Sequence, residues 1–342
     1  MKKHNVYFGA ANGYSGFRSN FANIFSADKV DKLFIIKGGP GTGKSTLMRK
    51  IHNYYTDNFN TTEILCSSDP GSLDGVLIEK DGRTVGIVDG TAPHVMEPAY
   101  PGAREEIINL GDAFDIGALS KQKDYIIELS DKKKAHYKSA YDSLRIAGDI
   151  NEYISANFVN NDYYYSAEVL IEQLTKSEIS NENTAVRSDF LVGSFSKNGY
   201  KRLEKATESK ELITIKGDGI SEYFLTSAIE KRMRKSGIKF TVFYSALSPT
   251  LPDLIETESC IYTVADNNHS TIDSSLLMPK TCEYERLKGA YRCFIENAQI
   301  ALIKASEHHF KLEAIYSSCI AFDENENKRR SIIEKIDALF DK

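Results

Sequence analysis

The residues with the clearest chemical meaning lie in FIIKGGPGTGKSTLMRKI, residues 34–51. Gly38, Gly39, Pro40, Gly41, Thr42, Gly43, Lys44 and Ser45 satisfy the spacing G-x-x-x-x-G-K-[ST], and Thr46 completes GKST. The glycines let the chain turn so that several peptide N–H groups converge on phosphate oxygens, and a helix starting near Lys44 adds the positive end of its dipole. Lys44 is suited to reach the β and γ phosphates, and the Ser45 hydroxyl to ligate Mg²⁺. Residues 38–46 are thus the candidate binding residues for a nucleotide. ATP is the expected one, because no N-K-x-D guanine signature occurs in the chain.

A phosphate loop also needs a carboxylate on the metal side, at the end of a neighbouring strand. Thr84-Val85-Gly86-Ile87-Val88-Asp89 is a short apolar run ending in Asp, so Asp89 is the candidate catalytic carboxylate and, with Ser45, the candidate Mg²⁺ ligand. No Glu follows it to activate water, which implies slow hydrolysis or a base elsewhere. A second strand, Thr62–Cys66, runs into SSDPGSLD, where Asp69 stands at the C-terminal end of a strand, the usual place for a substrate-facing group. Asp69 is a third catalytic candidate beside Lys44 and Asp89, orienting water or an acceptor hydroxyl; a turn-forming Asp before Pro70-Gly71 explains it equally well. Asp74 offers the acceptor role too. His94, five residues past Asp89, is either a γ-phosphate contact or a plain loop histidine.

These residues need a sheet to hold them, and the chain carries the pattern for one twice. Leu33–Gly38 is echoed by Leu212–Gly217, 62–66 by 240–244, and the strand ending at Asp89 by Cys260–Asp266. Tyr7–Tyr14 is echoed by Leu191–Phe195 followed by Asn198-Gly199-Tyr200, each read as a strand entering an Asn-Gly hairpin turn. In the second copy Asp218, Glu222, Tyr223 and Phe224 stand opposite Gly39, Gly43, Lys44 and Ser45, allowing a one-residue slip, and two carboxylates there would repel a triphosphate. The expected fold class is α/β: two tandem P-loop NTPase-like units, the second degenerate, with long coiled-coil-like helical arms.

The arms are read from their periodicity. Tyr137, Ala140, Leu144, Ala147, Asn151, Ile154 and Phe158 in the first copy alternate spacings of three and four, as do Leu287, Tyr291, Phe294, Ala298, Ala301, Ala305, His308, Leu312, Ile315 and Cys319 in the second. Two matched seams imply that the arms pack on each other. The expected domains are 1–180, with an intact Walker A loop and an arm at about 119–158, and 181–342, with an arm at about 283–322 and a closing amphipathic helix from Asn325 to Lys342. Lys132-Lys133-Lys134 reads as a solvated helix face. His308 and His309, with Glu313 four residues beyond His309, lack the further ligand a metal site needs and read as a core-edge histidine beside a solvated one. The basic cluster Lys231, Arg232, Arg234, Lys235 is an exposed helix end, or a source of a cation for the intact loop.

Composition limits the partners. Lys and Arg number 43 against 48 Asp and Glu, and neither half is basic, so no nucleic-acid partner is expected. No run of 18 apolar residues and no signal-type segment after MKKHNVYFGAANGYSG is found, so no membrane partner and a cytoplasmic location are expected. The five cysteines lack CxxC spacing, which indicates neither zinc nor a disulfide framework.

FIIKGGPGTGKSTLMRKI, CSSDPGSLDGVLIE and VGIVDGTAPHVMEPAYPGAREEIINLGDAFD together resemble the poorly characterised bacterial P-loop proteins described as predicted ATPases or nucleotide kinases. The resemblance spans nearly the whole chain, and implies ATP at residues 38–46. Family members often carry a recognisable P-loop in the second copy, from which this chain departs. Three functions follow as expectations: a slow Mg²⁺-dependent ATPase that moves its arms, with a protein partner engaging them; a small-molecule or nucleotide kinase; or a nucleotide-binding scaffold with little turnover.

Overall fold

A computed structural model describes residues 2–159, 161–175, 178, 184–204, 210–265 and 272–341. The first half of the chain runs β1 (His4–Phe8), the hairpin β2 (Ala10–Gly13) and β3 (Gly16–Ser19), α1 (Phe21–Ile24), β4 (Lys32–Lys37), α2 (Lys44–Tyr55), β5 (Asn60–Leu65), β6 (Leu73–Lys80), β7 (Arg83–Asp89) and β8 (Glu105–Asn109). The helices α3 (Ile116–Lys121), α4 (Lys123–Phe158) and α5 (Asn161–Leu174) follow. The second half runs β9 (Ala185–Arg187), the hairpin β10 (Gly193–Ser196) and β11 (Gly199–Arg202), β12 (Glu211–Lys216), α6 (Ser221–Lys235), β13 (Phe240–Tyr244), β14 (Pro252–Glu256), β15 (Cys260–Val264) and β16 (Ile272–Asp273). It ends in α7 (Cys282–Ser317) and α8 (Asp323–Phe340).

Each half builds one six-stranded mixed sheet, and the two sheets are wired alike. The first has the order β1-β5-β6-β7-β4-β8 and the second, from its other edge, β9-β13-β14-β15-β12-β16. In both, the third strand of this order is antiparallel to its two neighbours and every other pairing is parallel. Central β4 is buried along Leu33–Ile36, as a parallel strand covered on both faces must be. Leu47, Met48, Ile51 and Tyr55 of α2, three or four residues apart, form the stripe that covers it. The echo of 260–266 is a strand through Val264; Asp266 lies outside the described residues.

The compact units do not coincide with the expected halves, 1–180 and 181–342. One unit comprises residues 1–10, 19–138 and 301–342, the other 11–18 and 139–300. In the first, α8 lies on α2: Ile332, Ile333 and Ile336 are buried, and the Tyr55 hydroxyl donates to Asp337 Oδ1 at 2.7 Å. In the second, Tyr163, Ala167 and Ile171 of α5 share a core with Leu225 and Ile229 of α6. Each sheet is therefore closed by a helix from the other half of the sequence. The cause is helix length, since the 36 residues of α4, like those of α7, span about 54 Å and carry their successors with them. The seam residues Ala140, Leu144, Ala147, Ile154, Ala298, Ala301, Ala305 and Leu312 are buried. The seams meet antiparallel within each unit, His136 stacking on His308 in the first and Phe158 meeting Tyr284 edge-to-face in the second.

The hairpins correct the expected Asn-Gly turns. Asn12 and Gly13 lie within β2, and the turn is Tyr14-Ser15, followed by Gly16 at φ 89°. In the second hairpin Lys197-Asn198 is the turn and Gly199, at φ 81°, follows. Asn12 is claimed by a tertiary need: its buried amide donates to the Phe195 carbonyl at 2.9 Å and accepts from the Tyr141 hydroxyl at 3.0 Å. At Gly13 a Cβ would come within 2.5 Å of the Ala246 carbonyl and 2.7 Å of Leu247's, both backbone atoms that cannot swing aside. Gly13→Ala is expected to cost about 1–3 kcal/mol in chemical denaturation, the usual range for overpacking. An unchanged midpoint would mean that this contact is not held in solution.

Candidate functional site

Six residues, Gly38–Gly43, link β4 to α2, with Gly41 and Gly43 at φ 69° and 85°, where a side chain would be strained. Lys44 opens α2 and folds back over the loop, its Nζ 3.1 Å from the Gly38 carbonyl, 2.8 Å from that of Gly39 and 3.5 Å from Asp89 Oδ2. Asp89 ends β7, the parallel neighbour of β4, and its Oδ1 accepts from the Thr91 amide at 2.9 Å and the Thr91 hydroxyl at 2.6 Å. Ser45 Oγ accepts from the Leu73 amide at 2.9 Å, which fixes the hydroxyl and leaves a lone pair. Loop, lysine, hydroxyl and carboxylate are thus gathered where two parallel strands end. A hydroxyl and a carboxylate oxygen form a hard donor set that fits Mg²⁺ completed by phosphate oxygens.

The glycines also serve packing. A Cβ on Gly41 would lie 2.5 Å from the Glu313 carbonyl, and one on Gly39 3.2 Å from the Tyr316 ring. The Asn325 amide donates to the Thr42 carbonyl at 2.9 Å. The end of α7 and the start of α8 therefore rest directly on the loop.

Other candidates divide. Asp69 is in a turn, its backbone carbonyl accepting from the Ser72 amide at 2.8 Å and its carboxylate from the Ser72 hydroxyl at 3.4 Å. His94, read as an alternative to an idle loop residue, is buried between Asp74 Oδ2, 3.3 Å from Nε2, and the Asp89 carbonyl, 3.0 Å from Nδ1. Both partners are acceptors, so the imidazolium with two N–H donors suits them best. Burial alone would lower its pKa, but the Asp74 and Asp89 contacts outweigh burial and raise it. His309 pairs with Glu313 at 3.4 Å, and among the described residues no group of three or more His, Cys, Asp and Glu could hold a metal ion.

Two residues of α4 escaped the sequence reading. Tyr137 of α4, taken only as a seam residue, donates to Ser68 Oγ at 3.1 Å. Lys133, one turn earlier, is half-buried, while Lys132 and Lys134 are exposed and paired with Glu128 and Asp131. A lysine triplet on a helix does carry one signal: only one member can share the face of a seam residue four positions on.

In the second half, only Gly217–Ile220 separate β12 from α6, two residues fewer than in the first loop. Counted from the helix start, Glu222 matches Ser45, not Gly43 as the sequence comparison had it. Glu222 Oε2 accepts from the Gly219 amide at 3.1 Å, and Asp218 Oδ1 from the amides of Ile220 at 3.3 Å and Ser221 at 3.1 Å. Asp218 also receives the Tyr284 hydroxyl at 2.8 Å and lies 3.6 Å from Lys288. The turn's amides thus face the chain's own carboxylates. Burial raises the pKa of Asp218, but the Tyr284, Ser221 and Lys288 contacts prevail and hold it low; burial pushes Glu222 up to about 7. Arg234, of the basic cluster, is paired with Glu230 at 2.7 Å.

Comparison with protein-family models, with curated proteins and with solved structures found no match. No helix among the described residues is long and apolar enough to cross a membrane.

The raised pKa of Glu222 has a definite sign. The unfolded chain releases this proton near pH 4.5 and the folded chain near 7, so the stability it contributes is complete below 4.5 and is lost as pH rises to about 7. Glu222→Gln, which keeps an acceptor for Gly219, is expected to match the parent at pH 4 and to exceed it at pH 8 by on the order of 3 kcal/mol. A pH-independent difference in thermal melts would place the ordinary ionised carboxylate in this turn.

Proposed function

We propose that the chain binds ATP with Mg²⁺ on residues 38–46 and hydrolyses it slowly, using the nucleotide state to bias its long helices. The observation that carries this reading is Lys44 Nζ held between the Gly38 and Gly39 carbonyls and Asp89 Oδ2, at the mouth of a glycine turn on a helix N-terminus. Lys44 would exchange those carbonyls for β and γ phosphate oxygens, while Ser45 and Asp89 would hold Mg²⁺, which neutralises the charge on the phosphates.

Slow turnover fits the surroundings. Gly90 and Thr91 follow Asp89, and His94, with acceptors at both nitrogens, has no free lone pair to take a proton from water. Asp69 and Asp74, on which a kinase reading relies for acceptor activation, are engaged by Ser72 and His94. Hydrolysis is therefore preferred to transfer. Coupling to the helices has a direct route, since Glu313 and Asn325 touch the backbone of the loop that would close on phosphate. The second turn, already supplied with carboxylates, would bind no nucleotide, and one ATP per chain is the consequence.

The reading is checked with γ-labelled ATP, with and without a metabolite extract. Label should appear as inorganic phosphate without any acceptor, and Lys44→Ala should lower the rate about a hundredfold or more. Labelling of a metabolite only with extract would make the chain a kinase. Asp89→Asn should raise the Mg²⁺ concentration needed for half-maximal rate, and an unchanged Mg²⁺ titration would remove Asp89 from the site. Titration with a non-hydrolysable ATP analogue should give a stoichiometry of one; two would mean that residues 217–225 hold nucleotide as well.

A further inference from the structure

Lys133 is placed unlike its neighbours. It is the one half-buried member of Lys132-Lys133-Lys134, and among the described residues it makes no hydrogen bond or ion pair, whereas both flanking lysines do. Its direction is set by the helix. Tyr137, four residues on and so on the same face, bonds to Ser68, which immediately precedes Asp69 in the loop after β5. His136 on the adjoining face is stacked on His308, which locks α4 against α7 at this level. One turn further along α7, Glu313 lies with its backbone against Gly41 of the phosphate-type loop.

Electrostatics agree with this placement. Burial is the main cause lowering the Lys133 pKa; Lys134 and Lys44 lower it further, and Glu313 partly offsets them. A half-buried ammonium that repels a second one and makes no ion pair or hydrogen bond is an arrangement that a multivalent anion would stabilise. Lys44 already has carbonyl and carboxylate partners; Lys133 has none.

We propose that Lys133, carried on α4, is a second cation for the terminal phosphate of the nucleotide held by residues 38–46, joining the long helix to the presence of that phosphate. This rests on the nucleotide reading above. It gives α4 the part that an arginine finger plays in other phosphate-transferring sites, supplied here by the same chain. A lysine held at the γ-phosphate interacts with ATP and loses its partner once only ADP remains. The ligand class it recognises is therefore the triphosphate.

Calorimetry should compare a non-hydrolysable ATP analogue with ADP, both with Mg²⁺, on the full-length chain. Lys133→Ala and Lys133→Gln are expected to weaken the analogue about tenfold and ADP less than twofold, and Lys133→Arg to restore the analogue. Lys44→Ala should weaken both ligands severely. In the unaltered chain, the analogue but not ADP should shield Lys133 from amine acylation read by mass spectrometry, a measurement independent of any variant's folding. Equal losses for both ligands, or no loss, or acylation unaffected by the analogue, would overturn the assignment while leaving the loop reading intact. Binding that survives Lys44→Ala would overturn the loop reading and this one with it.

Discussion

Peptide N–H groups left unpaired where a strand turns into a helix have to be given negative charge, and the two such turns of this molecule differ in where it comes from. Residues 217–220 receive it internally, with Asp218 and Glu222 accepting the amides of Gly219, Ile220 and Ser221. Residues 38–43 stand beside Lys44, whose ammonium is held by two loop carbonyls and Asp89 and not by a carboxylate in the turn itself. One half of a repeated topology has become a self-satisfied structural element. The other gathers a lysine, a hydroxyl and a carboxylate beside its turn.

Such a division is tolerable because the sheet does not depend on what the turn holds. The strand order and direction of the two sheets agree throughout, although the second loop is two residues shorter and differs at nearly every chemically active position. Burial of Leu33–Ile36 on one side, and of Ile213 and Ile215 on the other, is what both copies preserve. Carboxylates in the second turn occupy its amides with side chains that cannot dissociate, at the expense of burying Glu222.

What could be read in the sequence was what local chemistry fixes. The gathering of Lys44, Ser45 and Asp89 beside one loop was legible because set spacings behind apolar strands bring strand ends together. The repeat was legible because four elements recurred in order. Asn12-Gly13 was misread as a turn because its amide answers to Phe195 and Tyr141, partners more than a hundred residues away. Lys133 looked like its neighbours because three successive lysines differ only in which way the helix points them. The seams were readable, but periodicity says which face of a helix is buried and not which sheet its successor will cover. The boundary near residue 180 consequently misses the exchange of α5 and α8.

That exchange bears on how the chain is made. The first sheet is complete once residue 109 has been synthesised, yet the helix that covers α2 lies in the last twenty residues. During translation α2 must wait for residues 323–340 to emerge before it gains this partner, a delay of many seconds at ordinary elongation rates. Ribosomal stalling or loss of α8 would leave α2 without that partner, so quality control acting on the nascent chain has a long interval in which to intervene.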